Sequence, residues 1–344
     1  MSFTRLDATD FVVSSDSVTA PAWSNNVTTL TSFFTASAGL TGSYFIDVYN
    51  ATYTSNTASV QFSIAYGHKG GSGSAPLNPL VIGNSPSRIT FGQYRNLVYG
   101  DAETAVNFGT GNTNSNDLIA IQVDRNRYKE ALFPGTFNLT LVGGGGTVKL
   151  TDNSNMVSTI TYVDGGRLFT IVSGSNGTTT VAPPLSGGIT GSTIQGNYGM
   201  FLPDIGLILL NPLALTASAA QGGLALSLSS ATTIGASSQN HDNVFKLIRD
   251  GANFALNSQE TVSSDYVFVR IRNNEYNYTT NPSVFISGST GDLIYSNFIN
   301  SPQTFPTTVG LYNDNNELLA VAKLSKPLTK DFTKEALIRV KLDW

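Results

Sequence analysis

The residues able to do chemistry are few, and their spacing decides little in favour of a reaction. Only His68 and His241 carry an imidazole, and there is no cysteine in the 344 residues. A histidine metal site needs further ligands on a fixed framework. Without thiols there is no disulfide, no thiolate nucleophile and no zinc–thiolate site. His68 lies beside Lys69 in a glycine-rich stretch. His241 stands between Asn240 and Asp242 at the start of an expected helix, with no G-x-S-x-G nucleophile motif to serve, so it reads as a solvated imidazole at a helix start. Asp101 and Glu103 are two apart, as a carboxylate pair on one strand face would be, but they follow Gly100 in what reads as a turn. A glycosidase would need two carboxyls across a sugar cleft.

The remaining motifs fail on their own terms. Gly143 to Gly146 with Lys149 lacks the Gly-Lys-Ser/Thr ending of a phosphate loop and reads as a hairpin tip. Gly109-Thr110-Gly111 is followed by Asn114 where a dinucleotide motif wants glycine. Asp314, Asn313, Asn315, Asn316 and Glu317 supply oxygens, but not in the order of a calcium loop. The Asn-x-Thr triplets at Asn26, Asn50, Asn138, Asn176 and Asn277 are what an Asn/Thr-rich chain produces by chance. No residue is therefore assigned as catalytic, cofactor-binding or metal-ligating, and the expectation is a protein that is not an enzyme.

The aromatics say more. The C-terminal third is crowded with Tyr and Phe, and Tyr276 and Tyr278 sit among Asn273, Asn274, Glu275 and Asn277. Tyr beside Asn in a polar segment suits a protein interface first and sugar stacking second.

Behind these residues the pattern is that of strands. Ser43–Tyr49, Ser59–Tyr66, Leu118–Val123, Thr136–Val142, Thr147–Leu150, Arg167–Val172, Leu207–Leu210 and Tyr266–Ile271 have strand-like apolar patterns. Shorter strands are expected at Ser283–Ile286 and Leu293–Phe298. Asn313 to Asn316 reads as the turn of a hairpin, since Asn and Asp tolerate left-handed angles. Ala336, Ile338, Val340 and Leu342 alternate with Leu337, Arg339, Lys341 and Asp343 up to Trp344, which predicts a terminal structural strand. Ile89, Phe91, Tyr94, Leu97 and Val98 approximate a helical stripe that Gly100 would end, the alternative being a strand entering a turn at Gly92; further helices are expected over Leu213–Gln221, capped by Asn211, and from Asp242 or Asn243 to Gly251.

The expected fold is mainly β, with antiparallel, sandwich-like sheets, a few short helices and several domains. Glycine- and serine-rich stretches at Gly67–Pro79 and Ser173–Gly191 suggest boundaries, giving an N-terminal β region over 1–75, a middle β region over 76–190 and a C-terminal α+β region over 191–344.

Only 12% of residues are charged, against roughly a quarter in an average soluble protein. A surface of Ser, Thr, Asn and Gly presents little charge to desolvate when subunits pack. Basic residues are scattered, so nucleic acid is not an expected partner. MSFTRLDATD lacks the apolar core of a signal peptide, and Met200–Ala220 is broken by Pro203, Asp204, Gly206, Asn211 and Pro212, so no membrane insertion is expected.

The phrases "GLYNDNNELLAVAKLSKPL" and "IRVKLDW" resemble the C-terminal end of virion structural proteins of large contractile-tailed phages, the cyanophage-like myoviruses in particular. "QYRNLVYGD", "DRNRYKEALFPGTFNLTL" and "YGMFLPDIGLILLNP" fit the same resemblance. It implies a part of the tail or baseplate, assembled in the host cytoplasm, with other virion proteins and copies of itself as partners and no cofactor. The alternative is a tail fibre or adhesin-type module that binds host-surface glycan. Trp344, Leu342 and Val340 of the terminal strand, with Tyr276 and Tyr278, are the expected interface residues.

Overall fold

The computed structural model describes residues 4–36, 44–78, 80–81, 83–109, 114–179, 198–219, 222–232, 239–279, 281–286 and 292–343. The fold is mainly β with short helices. The chain divides into two compact units: one joins Met1–Asp16 to Thr261–Trp344, the other is Ser17–Glu260. This replaces the three consecutive regions expected from the sequence. The Gly67–Pro79 stretch is no boundary, because the strand before it and a strand well after it are hydrogen-bonded neighbours. The Ser173–Gly191 stretch lies largely outside the described residues.

In chain order the strands begin with β1 (Phe11–Pro21), β2 (Thr29–Leu30), β3 (Phe34–Thr35), β4 (Phe45–Tyr49) and β5 (Val60–His68). Helix α1 (Pro86–Tyr99) follows, then β6 (Val106–Asn107), β7 (Asn114–Ser115), β8 (Asp117–Val123) and β9 (Ala131–Leu132). The hairpin β10 (Asn138–Gly143) and β11 (Gly146–Asp152) leads to β12 (Thr161–Val163), β13 (Gly166–Ser175) and β14 (Thr178–Thr179). Next come β15 (Gly199–Leu202), β16 (Leu207–Leu210), α2 (Pro212–Thr216), α3 (Asn240–Gly251), β17 (Phe254–Ala255) and β18 (Asn257–Ile271). The chain closes with α4 (Asn297–Asn300), β19 (Thr308–Tyr312), β20 (Leu318–Lys323) and β21 (Ala336–Asp343).

The larger unit is one long sheet in the order β2-β17-β10-β11-β13-β15-β16-β8-β5-β4-β3. Its middle is covered on both faces. Ile119, Ile121, Ile208, Leu210 and Phe201 point into the main core, where Leu215 of α2 and Val244, Phe245 and Ile248 of α3 meet them. Leu118, Ala120, Leu207, Leu209 and Met200 point the other way, against Phe91 and Val98 of α1. A strand buried on both faces needs no alternation, which is why Leu207–Leu210 is unbroken Leu and Ile. The deepest cluster is aromatic. Phe62 packs on Trp23, Phe33 and Phe254, and the Trp23 indole N–H donates to the Phe254 carbonyl at 2.7 Å.

Helix α1 starts at Pro86, whose fixed φ suits the first turn, and ends at Gly100, whose φ of 69° lets its N–H reach the Asn96 carbonyl at 2.8 Å. Helix α2 is shorter than expected: Asn211 caps it by accepting from the Leu213 N–H, but it stops at Thr216. Helix α3 begins earlier than expected, at Asn240, without a side-chain cap, and Asp242 pairs instead with Lys246 at 2.6 Å.

The smaller unit has a thinner core. Strand β18 pairs with β21 along all of β21, with Val267 opposite Val340 and Val269 opposite Ile338. Val309, Leu311 and Ala322 of the β19–β20 hairpin pack against that face. The Asn313–Asn316 turn joins the hairpin, with Asn316 at φ 61°. The strands expected at Ser283–Ile286 and Leu293–Phe298 form a 3-10 turn (Pro282–Val284), a single bridge between Phe285 and Leu293, and the short α4.

Candidate functional site

Each chemistry-bearing residue is accounted for locally. Asp101 accepts from the Glu103 and Thr104 N–H groups at 2.7 and 3.0 Å and from the Thr104 hydroxyl at 2.5 Å. The Thr104 hydroxyl, then these backbone N–H groups, hold its carboxyl down at about 2, with Arg95 adding a little. A carboxyl ionised down to that pH cannot serve as a general acid at neutral pH. Glu103 is tied to Arg88 at 2.6 Å.

His68 and Asp117 come together with Tyr66, a grouping the sequence reading missed because His68 and Asp117 are far apart in the chain. The Tyr66 hydroxyl donates to Asp117 Oδ1, and His68 Nε2 lies 3.8 Å from the same oxygen. Burial, then the Asp117 charge, pushes the Tyr66 phenol far above its ordinary value. His68 Nδ1 accepts from the Gly70 and Ser72 N–H groups at 2.9 and 3.2 Å. With Nδ1 taken by two donors, the ring proton sits on Nε2 and faces Asp117. Through the two bonds to Nδ1 the imidazole fastens the glycine-rich loop. Ser85 Oγ donating to the Gly71 carbonyl at 2.7 Å fastens it further.

His241 is not solvated. It is buried, its Nε2 has no hydrogen-bond partner among the described residues, and burial lowers its pKa to about 4 against a small opposing effect of Asp242. Among the described residues no group of three or more His, Cys, Asp or Glu gathers, and no helix is long and apolar enough to cross a membrane.

Two surfaces remain. The first is the sheet of the smaller unit, where β1 and β21 are the two edges in the order β1-β18-β21. Along β21 the side chains of Val340 and Leu342 go into the unit's own core. An interface at this strand therefore uses its backbone and the outward Leu337, Arg339 and Lys341. Leu337 is 62% exposed, and Arg339 and Lys341 lie over the Tyr266 ring. Trp344 lies outside the described residues.

Tyr276 is engaged at home: its hydroxyl pairs with Thr4 at 3.0 Å and its carbonyl accepts from Thr304 at 2.5 Å. Its φ of 51° belongs to a turn locked by fully buried Lys330, whose ammonium donates to the Asn273 carbonyl, Asn277 Oδ1 and the Asp331 carbonyl at 2.8–2.9 Å. The sequence reading missed Lys330, since a lysine in a Lys/Asp-rich link reads as solvated. Tyr278, 71% exposed, is the tyrosine that stands free of the fold.

The second surface is a cleft of about 290 Å³ over β2, β17, β10, β11 and β13 in the larger unit. Here Leu139, Leu141 and Leu150 face the core, and the opposite face has no helix over it among the described residues. That face presents Thr29, Ala255 and Asn138 in one row and Thr140 opposite Lys149 in the next. Ala255 and Gly174 are among its lining residues, and Gly174 is required by the close approach of β14. A Cβ on Gly174 would lie 2.1 Å from the Thr178 carbonyl oxygen. Asn138 is held by Asn176, whose N–H donates to Asn138 Oδ1 at 2.7 Å, and Asn253 Nδ2 donates to Thr140 Oγ1 at 3.1 Å.

No protein-family model, curated protein or solved structure matches the chain.

Proposed function

We propose that the protein is a non-enzymatic structural component of a phage virion, in the contractile tail or baseplate, acting through subunit packing. The observation that carries this is the bare sheet of the smaller unit. Among the described residues its edge strands β1 and β21 have no further partner strand, and β1 is exposed at nearly every residue. An open edge is a template for pairing with another chain, and proteins that keep one cover it. Leu318, Leu319 and Val321 add exposed apolar side chains on the neighbouring hairpin. The low charge of the chain lowers the desolvation cost of such packing. The resemblance to tail proteins supports the location.

The test is to look for the chain in purified particles of the phage that encodes it, by mass spectrometry and by density of the intact virion. Several copies in the tail or baseplate are expected; absence from washed particles would end the reading. A second reading, a module binding host-surface carbohydrate, is favoured by the polar cleft.

A further inference from the structure

We infer that the cleft over β10 and β11 is a binding site for an acidic sugar, a saccharide ring carrying one carboxylate. The inference deepens the carbohydrate-binding reading and does not depend on the assembly role.

The chemistry of the cleft selects the ligand by elimination. In its floor β10 is flanked by β11 along its length and by β17 at Asn138 and Leu139, so its backbone groups there are used in the ladder. An extended peptide has no edge to join along this part of β10, and recognition over it falls to side chains. Those side chains are hydroxyls and amides. Thr29 and Ser175 have no hydrogen-bond partner for their hydroxyls among the described residues, and Thr140, which already accepts from Asn253, has its own proton to give. Such an array matches a ligand that both donates and accepts at many points, which is the character of a sugar.

Charge narrows the choice. Lys149 is exposed, lines the cleft and has no carboxylate paired with it among the described residues, and no acidic side chain lines the cleft. One cation and no anion suits one carboxylate. A nucleotide would want aromatic stacking or a phosphate cradle, and no aromatic ring lines this cleft. The volume of about 290 Å³ falls at the small end of ligand pockets, which begin at roughly 300 Å³, so one ring is held while the chain on either side runs out into solvent. Absence of a stacking ring makes the contact a hydrogen-bonded and ionic one, weak per ring and sensitive to salt.

The experiment uses the full chain and titrates three probes by calorimetry and by saturation-transfer NMR: trigalacturonate, maltotriose as the neutral saccharide, and inorganic phosphate as the bare anion. Trigalacturonate should bind, with maltotriose and phosphate each roughly tenfold weaker or worse, since a charge-assisted hydrogen bond is worth about a factor of ten. Lys149→Gln should lower trigalacturonate affinity by roughly tenfold, and Lys149→Arg should retain most of it. A double Thr29→Val/Ser175→Ala variant, both positions being outside the core, should weaken trigalacturonate and maltotriose alike.

Unchanged thermal unfolding of each variant shows that the fold is intact. No binding of trigalacturonate, binding unaltered by Lys149→Gln, or phosphate as tight as trigalacturonate would each overturn the proposal. Presence or absence of the protein in particles bears only on the assembly role, so the two can fail separately.

Discussion

The two units are built from the same kind of strand and differ in how much apolar surface they bury. In the larger unit β8 and β16 are buried on both faces, between α1 on one side and α2 and α3 on the other. In the smaller unit only Val267, Ile271, Ile338 and Val340 form the buried cluster, while Leu319, Val321, Leu337 and Phe332 stay more than half exposed. A core of that size gives modest stability on its own. Large exposed apolar patches on a folded unit mark interaction surfaces. The difference is one of core size: the larger unit covers its central strands on both faces, and the smaller unit buries a single small cluster.

That contrast can be broken first at the cores. Phe62→Ala should destabilise the larger unit by about 3–5 kcal/mol, because it empties a fully buried site ringed by Trp23, Phe33 and Phe254. Urea unfolding followed by Trp23 fluorescence, in a Trp344→Phe background, measures it. Ile338→Ala should cost about 2 kcal/mol, visible in hydrogen exchange of β18 and β21, since its site is shallower. Equal losses from the two substitutions would erase the difference between the cores.

The next effect is one of pH. The folded-state pKa of His241 is near 4, below its ordinary 6.5, so the unfolded chain takes up the proton first as pH falls. Its contribution is complete above pH 6.5 and is lost between 6.5 and 4, by roughly 3 kcal/mol at the lower end. Buried Asp152, whose carboxyl is raised by burial, works in the opposite direction. Comparing the protein with His241→Leu isolates the histidine: the variant should lose less stability between pH 6.5 and 4. Parallel pH curves would place the acid sensitivity elsewhere.

Smallest in stability are the surface changes. Leu319→Ser with Val321→Ser should alter unfolding of the smaller unit by no more than about 0.5 kcal/mol. Sedimentation and particle incorporation should nevertheless show weaker association. A large loss of stability would mean that these side chains belong to the unit's own core.

Much of the fold was legible where one face of a strand is buried and the other wet. Ala336–Asp343 alternates, the Gly143–Gly146 tip pairs end to end, and Gly100 stops α1 as read. Legibility failed where the deciding contact is remote or the face is bare. Strand β1 extends to Pro21 because it pairs with β18, and with neither face buried it has no alternation to read. The partition into units joins the first 16 residues to the last 84, a pairing invisible to local pattern. Of the candidate residues, Tyr276 and Tyr278 were both read as exposed and are so, Tyr276 also bonding Thr4, while Val340 and Leu342 are used within their own unit. The cleft could not have been foreseen, because its lining residues come from strands far apart in the chain.

The claim that the smaller unit's sheet edge is an assembly element is tested most directly by hydrogen–deuterium exchange of the same protein free and in particles or self-assembled form. The account predicts that amides along 337–343 of β21, or along 11–16 of β1, exchange more slowly by about tenfold or more once assembled, as new backbone hydrogen bonds form, while those of β8 and β16 do not change. Protection that appears elsewhere while both edges exchange as they do in the free protein would contradict it.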